Sequence, residues 1–330
     1  PRPPPEPLWT ATADAEAVVG KGSGKGADVL QEKIDYARTI YNNKEASMTE
    51  LTTLRMELAD AIEEYSYIAA SPDFPYDVTA RHIANPDFEA GLSDWTNVGM
   101  AAQGNSSFTF KHGGTYVEKW VSAAGRLPEV SVTQTITDLP CGNYLLKAAA
   151  HHIVEKSSTA QRGVVIIAGT HEKTVSVPAE YDVMFTHLGQ PVTIGLQSTK
   201  PTGNWIACDN FRLYYIGGEM ADYTAELSTL KTEAEALLTT KANATSLAAL
   251  QAAVTQADEA IAAADISTYA PAATALEDAM LSVRTSAAAY EALASAITTG
   301  QEVCDAGQEA GRPDFLAAIA TAQALYNSAD

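Results

Sequence analysis

The segment Tyr116-Val117-Glu118-Lys119-Trp120 sets two aromatic rings and a carboxylate at alternate positions. On a strand, the side-chain period of two places Tyr116, Glu118 and Trp120 on one face. That face suits a pyranose: an aromatic ring lies against its C–H side, and a carboxylate accepts hydrogen bonds from its hydroxyls. It makes a poor core, because a buried charge without a partner is strongly destabilising. The competing reading is a core Trp120 with Glu118 neutralised by Arg212 or Arg126. Trp205, Asn204 and Tyr181 complete the candidate ligand set. Trp205, like Trp95, also suits an apolar core, and Asn204 and Tyr181 are read as loop-edge contributors.

Other constellations are weaker. All six histidines fall between residues 82 and 187. His151 and His152 are adjacent, so on a strand they point to opposite faces and do not chelate together, while His112, His171 and His187 read as loop residues. There is no nucleophile elbow, no Cys–His pairing and no zincin motif. Glu118 with Glu129 or Asp182 is the nearest approach to the carboxylate pair of a glycosidase, chosen from 11 acids between residues 80 and 217. The glycine run Gly20-Lys21-Gly22-Ser23-Gly24-Lys25-Gly26 has Gly26-Ala27 where a phosphate loop needs Lys followed by Ser or Thr. It reads as a flexible connector. Cys141, Cys208 and Cys304 are distant from one another and read as plain thiols.

The chain of 330 residues carries 21 basic and 41 acidic side chains. The excess lies at the ends: residues 1–79 hold 7 basic and 14 acidic groups, residues 218–330 hold 4 and 16, and residues 80–217 hold 10 and 11. Acidic surfaces repel nucleic acid and anionic lipid, so neither is expected as a partner. No apolar run approaches the ~20 residues of a membrane-spanning helix. The proline-rich opening Pro1-Arg2-Pro3-Pro4-Pro5 reads as the start of a linker over residues 1–26, not as a leader.

The elements change type twice. Leu30, Ile34, Ala37 and Tyr41 form one helical stripe, and Leu51, Leu54, Leu58, Ile62 and Tyr65 form another behind the capping box Ser47-Met48-Thr49-Glu50. Residues 27–79 therefore read as a helical hairpin. Residues 218–330 are rich in alanine, with helices expected near 219–239, 245–264, 268–298 and 313–328, and they read as a bundle. Between these flanks, strands are expected at 107–110, 115–121, 130–136, 142–150, 163–168, 173–177, 181–186, 192–197 and 205–215. Short strands without intervening helices indicate an antiparallel β-sandwich over residues 80–217.

Two stretches carry a resemblance. Ile83-Ala84-Asn85-Pro86-Asp87-Phe88-Glu89 leads to Trp95, and Gly203-Asn204-Trp205-Ile206-Ala207-Cys208-Asp209-Asn210-Phe211-Arg212-Leu213 closes the sandwich. With Val117–Ser122 and Leu139–Tyr144, they resemble galactose-binding-like, jelly-roll carbohydrate-binding modules, in particular those of polysaccharide-degrading enzymes of gut and rumen Bacteroidetes. The resemblance spans about 135 residues. It implies that the first and last strands are neighbours, with a structural calcium where they meet. The matching carboxylates are Glu89 and Asp209, with carbonyls from the turn Lys111–Gly114 and Asp87 as a weaker ligand. The alternative is that these carboxylates cap turns or pair with Arg81 or Arg212. Separately, Leu30–Asn43 (LQEKIDYARTIYNN) echoes Phe315–Ser328 (FLAAIATAQALYNS), and the pair resembles small FIVAR-type helical repeats. The second copy stops at Asp330, so the chain is expected to be part of a longer one.

The resemblance implies a non-catalytic polysaccharide-binding module with helical spacers, taken from a larger enzyme that is secreted, held at the cell surface or periplasmic. A stalk-like or adhesin-like spacer without a ligand is the alternative, and glycoside hydrolase or lyase activity of its own ranks third.

Overall fold

The computed structural model describes residues 6–43, 45–122, 127–155, 159, 161–307 and 312–328. They form two compact units, one of residues 1–187 and 191–219, the other of residues 188–190 and 220–330.

The first unit opens on helices. Residues 6–18, expected within a linker, instead form α1 (Glu6–Val18), followed by α2 (Ala27–Asn42) and α3 (Met48–Ile68). The expected hairpin is thus a three-helix assembly. Leu8 and Ala15 of α1 bury against Leu30, Ile34 and Ala37 of α2 and Leu51, Leu54, Leu58 and Tyr65 of α3. Trp9 meets Tyr41 with ring centroids 5.6 Å apart. The sequence concealed α1 because its proline-rich start and alanine-rich body have little amphipathic contrast. The glycine run is the connector between α1 and α2: Gly20, Gly22, Gly24 and Gly26 all have positive φ, a region that costs only glycine little. The capping box is present, with the Glu50 amide donating to Ser47 Oγ at 3.1 Å and the Ser47 amide donating to Glu50 Oε2 at 3.4 Å.

The sandwich follows: β1 (Tyr76–Asp77), a short α4 (Thr79–His82), β2 (Thr96–Val98), β3 (Ala101–Gln103), β4 (Tyr116–Trp120), β5 (Ser131–Ile136), β6 (Gly142–Ile153), β7 (Val164–Ala168), β8 (His171–Thr174), β9 (Ala179–His187), β10 (Val192–Ser198) and β11 (Trp205–Tyr215). One sheet has the order β3-β4-β11-β6-β9, with β1 also on β11; the other has the order β2-β5-β10-β7-β8, and every pairing is antiparallel. The antiparallel sandwich is as expected. Three short strands, β1, β2 and β3, are too brief to show a period of two in the sequence. Residues 107–110 form no strand, and Phe108 is instead a buried cover. Because Tyr76–Asp77 pairs with Tyr214–Tyr215, the sandwich begins before residue 80.

The sandwich core lies between the sheets. Val117, Leu146, Ala148, Ala150, Val183, Ile206, Cys208, Phe211 and Leu213 from one sheet meet Val132, Ile136, Val164, Ile166, Ile194 and Leu196 from the other. The N-terminal helices attach at the β1–β11 edge. Tyr67 of α3 stacks on Tyr215 at 4.5 Å, and Glu63 accepts from Tyr76 Oη at 3.0 Å and pairs with Arg81.

The second unit holds α5 (Met220–Leu237), α6 (Ala244–Ala263), the 3-10 turn Ile266–Thr268, α7 (Tyr269–Asp305) and α8 (Arg312–Asn327). Leu227, Leu230, Leu250, Val254, Ala257, Leu276, Met280 and Val283 are buried. The echo of α2 in α8 extends to a contact: Tyr326, the counterpart of Tyr41, meets Tyr290 of α7 at 5.9 Å, as Tyr41 meets Trp9.

Phe211 is fully buried between Phe88 and Trp95. Phe211→Ala is expected to lower the stability of the sandwich by about 3–5 kcal/mol, since the cavity cannot collapse between two rigid rings. Denaturant unfolding followed by tryptophan fluorescence measures it.

Candidate functional site

The motif around Asn85 builds the corner where the chain enters the sandwich. Asn85 Nδ2 donates to the carbonyls of Gly91 and Ser93, Asn85 Oδ1 accepts from the Ala90 amide, and Trp95 Nε1 donates to the Asn85 carbonyl at 3.0 Å. Phe88 takes φ 52° to turn its ring inward, and Phe88, Trp95 and Phe211 close a triangle with centroids 4.9 to 6.0 Å apart. The Phe211 amide donates to the Pro86 carbonyl. The two sequence stretches that carry the resemblance are therefore each other's packing partners, and Trp95 is core.

Three carboxylates converge beside this corner on the turn Lys111–Thr115. Glu89 Oε1 accepts from the amides of Gly114 (2.7 Å) and Thr115 (2.9 Å), which hold its carboxyl below the usual range. Gly113, at φ 81°, leaves the space for Glu89, because a Cβ there would collide with Oε1. Asp209 is fully buried; its Oδ2 accepts from the His112 amide at 2.6 Å and its Oδ1 from the Asn210 amide at 2.7 Å. Burial, with repulsion from Asp87 and Glu89, outweighs those bonds and pushes Asp209 up to about 7. Asp87 pairs with Arg212 at 2.5 Å, and Arg81 with Glu63. Lys111 Nζ donates to the carbonyls of Gly114 (3.1 Å) and Gly104 (3.3 Å).

The four residues expected around a metal are thus brought together, with two differences. The Gly114 carbonyl is already engaged by the Lys111 ammonium, and both carboxylates serve as caps for the turn. Among the described residues, no group of three or more His, Cys, Asp or Glu side chains is arranged to hold a metal ion. The donors are hard oxygens, the kind a cation of the calcium type takes, while the rise at Asp209 comes first from its burial and only then from Asp87 and Glu89.

The ligand-face residues lie elsewhere on the same sheet. Val117 faces the sandwich core, so Tyr116, Glu118 and Trp120 face outward, as the period of two requires. Two rows cross this outer face. In one, Trp120 of β4 pairs with Trp205 of β11, which pairs with Ile153 of β6; in the other, Glu118 pairs with Ala207, which pairs with His151. Phe108, Tyr116, Ala149, Ile153, Trp205 and Ala207 form a small apolar cluster there. Glu118 Oε2 accepts from Tyr116 Oη (2.9 Å) and Trp205 Nε1 (2.7 Å). Tyr116 Oη also contacts Asn105 Oδ1 at 2.9 Å, and burial together with Glu118 raises its phenol. The carboxylate is therefore partnered by two ring donors rather than by Arg212, which is occupied by Asp87; Arg126 lies outside the described residues.

Trp120 is 49% exposed, in contrast to the buried Trp95 and Trp205. Its Nε1 donates to Glu155 Oε2 at 2.7 Å, which holds the indole in place. Glu155 was invisible as a site residue in the sequence, since it lies 35 positions from Trp120 and only the β4-β11-β6 pairing makes them neighbours. Asn204 is not a free loop-edge group: it is buried, its Oδ1 accepts from the Glu155 amide at 2.6 Å, and its Nδ2 donates to the Val121 carbonyl at 3.1 Å. Tyr181 is displaced altogether. It faces the core, and its hydroxyl accepts from the Ser176 amide (2.7 Å) and donates to the Val177 carbonyl (2.6 Å). An odd position on β9 faces inward, which a loop-edge reading could not reveal.

His151 and His152 do point to opposite faces. His151 meets the edge of Trp205 at 5.0 Å on the outer face, and its buried Nε2 has no hydrogen-bond partner among the described residues. His152 Nε2 contacts the Thr202 carbonyl at 2.6 Å. His187 is not a loop residue; it ends β9, buried, with Nε2 on the Leu139 carbonyl at 3.0 Å. Glu129 accepts from the Lys200 amide and Asp182 pairs with Lys147, so neither is joined to Glu118 as an acid–base pair.

No protein-family model matches this chain, and no curated protein matches it. Solved structures similar to part of it include TmCBM61 in complex with β-1,4-galactotriose, at 18% identity over 41% of this chain and 97% of that one, with a TM-score of 0.31. The Stig cyclase Fisc from Fischerella sp. TAU is similar at 13% identity over 44% and 100%, with a TM-score of 0.34. The CBM22-1 xylan-binding domain of Paenibacillus barcinonensis Xyn10C is similar at 13% over 40% and 93%, with a TM-score of 0.28. Binding modules and cyclases appear side by side, and likenesses of this size decide neither ligand nor activity. No helix among the described residues is long and apolar enough to cross a membrane.

Burial pulls His151 and His187 down from 6.5 to about 4. A depressed histidine contributes stability that is present above the unfolded pKa of 6.5 and is lost as pH falls towards 4. Asp209, raised from 3.8 to about 7, acts in the opposite sense across the same window, gaining stability as pH falls. The histidine contribution is therefore read by difference: between pH 6.5 and 4 the melting temperature of His187→Gln should fall less than that of the wild type, by the equivalent of about 2–3 kcal/mol.

Proposed function

We propose that the sandwich is a non-catalytic carbohydrate-binding module, with the outer face of β4, β11 and β6 as its glycan platform. The observation that carries this reading is Trp120: a half-exposed indole, pinned by Glu155 and flanked by Glu118, in a sandwich whose other tryptophans, Trp95 and Trp205, are buried. A flat apolar surface beside acceptors held in fixed positions is what a pyranose needs. The carboxylates of this face already accept from ring donors, which supports binding over acid–base chemistry. The ligand we propose is a polysaccharide, bound weakly per site and strengthened by tethering to other modules of a longer chain that acts outside the cell or at its surface.

We also assign a structural calcium to the entry corner, held by Glu89 and Asp209 with carbonyls of the Lys111–Gly114 turn. The hard oxygens and the convergence of the Glu89 and Asp209 carboxylates on one turn support it. The ion would neutralise these carboxylates where the first and last parts of the sandwich meet. Calcium should raise the melting temperature of the sandwich and a chelator should lower it. Unchanged melting, with no metal in elemental analysis of the protein, would remove the assignment.

Trp120→Ala should weaken retention in affinity electrophoresis by roughly five- to thirtyfold, as loss of an aromatic platform removes roughly 1–2 kcal/mol. Because Trp120 is a surface residue, thermal melting should change little. Retention unaltered by the substitution would sink the platform and favour a ligand-free spacer.

A further inference from the structure

The charges on the platform suggest which glycans it accepts. Glu118 and Glu155 each use Oε2 to hold a ring of the site, Glu118 taking Tyr116 and Trp205, and Glu155 taking Trp120. The Glu155 backbone is in turn fixed by Asn204. Both carboxylates are therefore set in position and half-buried, with Oε1 of each outside these bonds. Among the described residues, no lysine or arginine pairs with either. Among the described residues, the basic side chains on the outer face of this sheet are occupied elsewhere, Lys147 by Asp182 and Arg212 by Asp87, while Arg126 and Lys156 lie outside the described residues. His151, across Ala207 from Glu118, is kept neutral near pH 7 by burial and brings no positive charge.

We propose that this platform is a charge filter: it takes neutral glycans through Glu118, Glu155 and His151 and rejects uronate-bearing ones. The proposal rests on the platform reading above and narrows its substrate class. A carboxylate only accepts hydrogen bonds, and its two oxygens match the donors of neighbouring sugar hydroxyls. His151 Nε2, buried and without a partner among the described residues, is a further group able to meet a hydroxyl. A uronate replaces a donor by a second anion beside two fixed anions, with no described cation to offset it. Specificity then comes from repulsion as much as from attraction. Both carboxylates are only half-buried, so salt should screen part of this repulsion.

The test uses the full chain in affinity electrophoresis. Each uronate-bearing polysaccharide is cast beside its own carboxyl-reduced counterpart, so that sugar stereochemistry and linkage stay the same and only the charge differs. At low salt the wild type should be retained by the reduced polymer on the order of tenfold more strongly than by its acidic parent. That ratio should shrink as salt is raised to about 0.5 M. It should also shrink in the double variant E118Q/E155Q, which keeps an acceptor for each ring donor but removes both charges. Equal retention of the acidic and reduced members, or a ratio indifferent to salt and to E118Q/E155Q, would overturn the filter while leaving the platform standing. Retention by no neutral polymer would bring down the platform itself, and the filter with it.

Discussion

The sandwich depends on the seating of Phe211 against Phe88 and Trp95 at the centre of β11. That strand pairs with β1, β4 and β6, so it is interior to its sheet along most of its length. Its register with β6 breaks between Asp209 and Arg212, where Asn210 takes φ 56°. The break re-aims the strand: Asp209 faces the turn at His112, Phe211 enters the core, and Arg212 reaches Asp87. A bulge that sets three side chains to three tasks in four residues is a recurring use of such irregularities. Movement of the ring would disturb the entry corner and the acidic cluster together.

The same strand links the corner to the platform. Trp205 and Ala207 occupy its first half on the outer face, and Asp209 is the next residue on that side. Ala207, in register between Glu118 and His151, is small and fully buried. Trp205 is large and buried, and it lies in register beside Trp120 on the neighbouring strand. Polar satisfaction follows from the same spacing: Glu118 lies between two ring donors, and Glu155 is brought within reach of Trp120 because β6 runs on to Ile153. A half-buried carboxylate is tolerable on these terms, because ring N–H and O–H groups replace part of its lost hydration.

The helical parts obey a simpler rule. In α2 and α3 the apolar stripe and the capping box agree, so local preference and packing point the same way. The alanine-rich helices of the second unit pack through small residues, and the pairing of α7 with α8 reproduces the aromatic contact that α1 makes with α2. The repetition of a contact, beyond the repetition of letters, is what makes the echo between Leu30–Asn43 and Phe315–Ser328 structural.

Residue patterning by itself determined the class of each region: helices before and after, an antiparallel sandwich between, and Tyr116, Glu118 and Trp120 on one face. These follow from periods of 3.6 and 2, which are local properties of the chain. It also marked the Asn85–Glu89 and Asp209–Leu213 stretches as partners, through their resemblance to known modules. Local patterning could not show α1, whose stripe is faint, or the strands of two and three residues, which exist only because a neighbour pairs with them. Nor could it choose the face of Tyr181, place Glu155 beside Trp120, or tell the exposed tryptophan of the sandwich from its two buried ones. Those outcomes depend on which strand lies next to which and on what covers each face. Contacts between residues far apart in the chain decide both, and such contacts arise only when the sheets close on each other.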